Sequence, residues 1–147
     1  MLRVMFTLLI LAPVGLAQSS SDGSFSVRHS KQANFSLSAA QMREAESVYK
    51  SACAVVLHDF HNSIGELHPH FTVVIGADRN EVHGFMVQSK KVRGNAELWI
   101  KQWDPKVFAQ GVVVLAFDEL LTEDVINQLG SRAVRYSDAT VNVVGLK

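Results

Sequence analysis

The chain has 147 residues, 14 basic and 14 acidic side chains, 48% hydrophobic residues and one cysteine, Cys53. Balanced charge argues against nucleic acid or an anionic membrane as partner, since both select an excess of Lys and Arg. A single cysteine excludes an intrachain disulfide, and the length suits one domain with a core of its own.

The N-terminus reads as an export signal. Arg3 supplies a positive charge, residues 5–12 (MFTLLILA) form an uncharged apolar run, and Pro13 follows. Gly15 and Ala17 are the small residues ahead of a cut before Gln18, which completes the pattern of a cleavable signal peptide. The run is too short for a membrane span, which needs about 20 apolar residues. A signal peptide is therefore expected over 1–17, followed by a secreted or periplasmic chain of 130 residues with no membrane attachment. Residues 18–37 are rich in Ser with few apolar anchors and read as a flexible leader. That leaves 38–147 as a single domain.

Ser38 with Gln41 three residues later forms a capping box, and Leu37 and Met42 occupy the staple positions. A first helix to about His61 follows, with Met42, Ala45, Tyr49, Ala52, Val56 and Phe60 as its apolar stripe. Cys53 lies in this apolar stretch and reads as buried. Phe71–Ile75 is β-branched and aromatic and reads as a strand. Residues 83–91 and 96–103 read as two more, joined as a hairpin at Arg93-Gly94-Asn95. Trp99 and Trp103 would then share one face of a strand with Glu97 and Lys101, either as core or as an aromatic ligand platform.

Asp104-Pro105 pairs an N-cap with a proline at the first helical position. The helix from Val107 to Leu121 is apolar nearly all round, as expected of a central helix. Its valines leave a strand at 111–117 as the alternative. Thr122 caps a third helix through Tyr136, and Thr140–Val144 reads as a last strand. The predicted fold is α+β: a small, mostly antiparallel sheet packed with three helices, in the order α-β-β-β-α-α-β.

Five of the six histidines, His58, His61, His68, His70 and His83, fall within 26 residues. His58 and His61 are three apart on a helix and can meet on one face. Converging imidazoles, with Asp59 or Glu66 beside them, suit zinc or copper. The spacing matches no established zinc signature, and a polar helix face with solvated histidines, plus a loop, is the plainer reading, since His58 and His61 point away from the apolar stripe. Gly-x-Ser-x-Gly and phosphate-binding glycine loops do not occur. Asp118-Glu119 reads as the solvated end of a buried helix, with Arg132 or Arg135 as ion-pair partner. Gln110 reads as a polar group within the core.

The element order is loosely similar to the core of zinc metallopeptidases, whose catalytic helix carries H-E-x-x-H. The corresponding helix here reads Phe108-Ala109-Gln110-Gly111-Val112-Val113 and contains no histidine. The likeness implies an inactive relative, because architecture alone carries no activity.

The sequence thus predicts an exported, non-catalytic domain that binds a protein or small-molecule partner. The alternatives are a histidine-mediated metal-binding protein taking zinc or copper, and a hydrolase whose site matches no known motif.

Overall fold

A computed structural model describes residues 17–59, 67–77, 84–120, 132 and 135–146. Strands β1 (Gln18–Ser19) and β2 (Phe25–His29) stand in place of the leader expected over 18–37. The serines there make a turn. Asp22 Oδ1 accepts hydrogen bonds from Ser24 N at 3.0 Å and Ser20 Oγ at 3.1 Å, an arrangement suited to short polar side chains. Gln18 is tied to the far end of the segment, donating from Nε2 to Leu37 O at 3.2 Å and accepting from Leu37 N at 2.8 Å. In β2 the alternation is strict: Phe25 and Val27 are buried, while Ser26 and Arg28 face the other way.

Helix α1 (Ala39–Asp59) starts at the expected capping box. Gln41 N donates to Ser38 Oγ at 3.1 Å, and Ser38 N to Gln41 Oε1 at 2.9 Å. Met42, Ala45, Val48, Tyr49, Ala52, Cys53 and Val56 are its buried face. Strands β3 (Phe71–Ile75), β4 (Phe85–Gln88) and β5 (Glu97–Ile100) follow. β4 and β5 pair antiparallel as expected, but the connection is longer: the chain makes one helical turn, α2 (Lys90–Arg93), where the end of a strand and a tight turn were expected. Ser89 caps it by accepting from Lys91 N, and Gly94 closes it at φ 81°, a left-handed conformation that glycine adopts without steric cost.

Helix α3 (Pro105–Leu120) begins as expected at Asp104, whose Oδ1 accepts from Lys106 N at 2.9 Å. Phe108, Ala109, Gly111, Val112, Val113, Leu115, Ala116 and Phe117 are all buried, so the helix is central. A Cβ at Gly111 would overlap Leu98 Cδ1 and Cδ2, which lets α3 sit close to β5. Residues 135–143 are helical, where Thr140–Val144 was expected to form a strand. Thr140 Oγ1 donates to Tyr136 O one turn back at 2.8 Å, and Ser137, Thr140 and Val141 are buried. Tertiary packing has overridden the strand preference of a β-branched run.

The five strands are ordered β1-β2-β3-β5-β4. β2-β3 and β3-β5 are parallel, while β1-β2 and β4-β5 are antiparallel. The fold is α+β, but the sheet is mixed where a mostly antiparallel one was expected. The reason lies in β2: α1 is the crossover between β2 and its parallel neighbour β3, a connection that parallel pairing requires.

Register divides the sheet into two faces. Phe25, Val27, Phe71, Val73, Ile75, Leu98 and Ile100 share a core with α1 and α3. The rings of Phe25, Tyr49, Phe71 and Phe108 meet at centroid distances of 5.4–6.2 Å, a favourable range for aromatic pairs. The other face carries Ser26, Arg28, Thr72, Val74, Glu97, Trp99, Met86 and Gln88.

Candidate ligand-binding site

Just before β3, Pro69 is buried, and its carbonyl accepts from Tyr49 Oη at 3.0 Å. This fastens the loop to α1 and leaves His68 and His70, one on each side of Pro69, exposed. Facing them, α2 presents Lys90 and Lys91, and the last described turn of α3 presents Leu115, Asp118 and Glu119. With Ala96, these residues enclose a cavity of about 340 Å³, within the size range of small-ligand sites. Two contacts hold α2 against α3: Ser89 Oγ donates to Asp118 Oδ2 at 2.8 Å, and Lys91 Nζ to Asp118 O at 2.5 Å. A second cavity of about 320 Å³ shares His70, Lys90 and Ala96 and continues past Ser24, Ser26, Thr72 and Asn95.

The structure therefore brings His68 and His70 together, two of the five histidines singled out above. His58 lies outside that lining, at the end of α1, with Nδ1 3.3 Å from Asp59 Oδ1. His61 and His83 fall outside the described residues. Among the described residues, no group of three or more His, Cys, Asp or Glu side chains is placed to hold a metal. Asp118 and Glu119 line the cavity, and Asp118 meets Ser89 and Lys91 in place of the expected Arg132 or Arg135. Lys90 and Lys91 were the residues sequence reasoning missed. Only the Ser89 cap and Gly94 signalled that they sit on a helical turn rather than a strand.

Cys53 is buried, as expected. Burial, with the Glu119 charge adding to it, pushes its thiol up to about 12; at neutral pH it is a thiol, not the nucleophilic thiolate. Burial likewise raises the Tyr49 hydroxyl, with Cys53 contributing. At the far end of α1, Tyr136 Oη donates to Asp59 Oδ2 at 2.5 Å. That bond, and then His58, lowers the Asp59 carboxyl. Gln110 is half-buried and donates to Asp138 Oδ1, so the partner expected within the core lies on helical segment 135–143.

The two tryptophans separate. β5 ends at Ile100, so Trp103 does not share a strand face with Trp99. Trp103 packs on Phe108 at 5.3 Å, and its Nε1 is buried with no hydrogen-bond partner among the described residues. Trp99 Nε1 donates to Glu97 Oε2 at 2.9 Å, and the Arg28 guanidinium lies 5.6 Å from the Trp99 ring centroid. Arg28 Nη2 also donates to Glu97 Oε1 at 3.1 Å. Since Val74 stands between Arg28 and Trp99 in the sheet register and is fully buried, these two side chains close over it.

No protein-family model, characterised protein or solved structure matches the chain. Fold and site define its class: a small α+β domain with a mixed sheet and a surface cavity lined by imidazole, ammonium and carboxylate groups. No helix among the described residues is long and apolar enough to cross a membrane.

Proposed function

We propose that the protein is an exported, non-catalytic binding domain that takes a small ligand in the cavity between His68, His70, Lys90 and Glu119. The observation that carries this reading is the cavity itself: a few polar groups of both charges around the apolar surfaces of Pro69, Ala96 and Leu115, the usual build of a ligand site. Two further points support the absence of catalysis. Cys53, the one thiol, is held protonated, and α3 has no histidine where a metallopeptidase would carry its zinc ligands. Export rests on the N-terminal sequence of charge, apolar run and small residues, which supports a location in the periplasm or outside the cell.

Two measurements test this. N-terminal sequencing of the secreted form is expected to begin at Gln18; a chain still starting at Met1 contradicts export by cleavage. Purified protein, screened against ester, peptide and glycoside substrates, is expected to show ligand-induced thermal shifts without turnover. Turnover that disappears with His70→Ala would replace this reading with a hydrolase.

A further inference from the structure

We propose that the cavity takes a zwitterionic ligand of about dipeptide size, its ammonium group against Glu119 and its carboxylate against Lys90 and His70; this rests on the binding-domain reading above. Of the charged groups lining the cavity, Asp118 and Lys91 are engaged in the contacts that hold α2 to α3. The side chains of Lys90, His70 and Glu119 have no hydrogen-bonded or ion-paired partner among the described residues. Lys90 and Glu119 line the same cavity yet do not pair with each other.

Opposite charges kept unpaired around one cavity favour a ligand that carries both charges in the matching order. A ligand with one charge satisfies one of these groups and leaves the other with only water. His70, beside Lys90 in the lining of both cavities, adds a ring N–H donor on the carboxylate side. The apolar surfaces of Pro69, Ala96 and Leu115 between the charged groups accept a short aliphatic side chain. A volume of about 340 Å³ lies at the small end of ligand sites, which run from about 300 to 1,000 Å³.

The test is calorimetric titration of the full chain with three probes: Ala-Leu, its N-acetyl form and its C-terminal amide. Free Ala-Leu is expected to bind saturably, and blocking either end to weaken binding about tenfold, the worth of one charge-assisted hydrogen bond. In Glu119→Gln, N-acetylation should no longer matter while amidation still does. In Lys90→Gln the pattern should reverse. Both positions are exposed, and unchanged melting temperatures would confirm that the variants fold. No saturable binding of free Ala-Leu, or equal affinity for all three probes, overturns the proposal but leaves the binding-domain reading standing. Cleavage of the dipeptide would overturn that reading itself.

Discussion

The face of the sheet turned to α1 and α3 is apolar from β2 to β5, and its largest side chains are almost wholly excluded from water. The opposite face has one fully buried apolar residue in its central strands, Val74, sealed by Arg28, Trp99 and Glu97. The first face is held by non-directional burial, worth about 25 cal/mol per Å² of apolar surface. The second is held by a few directional contacts around one half-exposed guanidinium. The Arg28 side chain is 40% exposed and that of Glu97 12%. The solvent-open guanidinium limits what this pair contributes, although the carboxylate beneath it is largely buried. The contrast predicts that the fold's stability resides on the helix side, and that the other face tolerates change.

Phe108 gives the sharpest test of the helix side. It is fully buried against Phe25, Phe71 and Trp103, so Phe108→Ala should cost about 3–5 kcal/mol in urea unfolding. A loss below about 1 kcal/mol would break the contrast. Next comes Gly111→Ala, whose methyl would overlap Leu98. The overpacking should cost about 1–3 kcal/mol, and a double variant with Leu98→Ala should lose less stability than the two single losses added together. A double-mutant cycle over Arg28→Ala and Glu97→Gln should yield a smaller coupling, about 1 kcal/mol or less, shrinking in high salt. A coupling as large as the Phe108 effect would make the two faces equivalent.

The smallest effect concerns the turn before β2. Hydrogen bonds from Ser24 hold the Asp22 carboxyl down to about 2, below its ordinary 3.8. A carboxyl lowered by folding contributes stability above its unfolded value and loses it as pH falls through the folded one. Between about pH 4 and pH 2 the wild type should therefore lose slightly more stability than Asp22→Ala, in parallel melting curves. Identical pH slopes would show that this turn adds nothing.

Sequence legibility followed the range of the interactions. The caps at Ser38–Gln41 and Asp104–Pro105 were readable because each is local, three residues or fewer across. The apolar stripe of α1 was readable because periodicity needs no partner. β2 was not legible. Five residues alternating Phe-Ser-Val-Arg-His in a Ser-rich stretch carry a weak signal, and only pairing with β3, some 46 residues on, defines the strand. Missing β2 concealed the crossover through α1, and with it the parallel pairing at the sheet's centre. The histidine cluster shows the same limit. Nearness in sequence grouped five residues, whereas the buried Pro69 placed His68 and His70 at one cavity and helical length carried His58 away from its lining.

By itself, then, the sequence determined the α+β class, the helix starts at Ser38 and Asp104, the burial of Cys53 and the central position of α3, all set by local hydrogen bonding or by the periodicity of apolar residues. Tertiary structure alone decided the mixed sheet order, the helical state of 135–143, the separation of Trp99 from Trp103 and the meeting of His70, Lys90 and Glu119. Each of these depends on contacts between residues distant in the chain, whose energies no local pattern encodes.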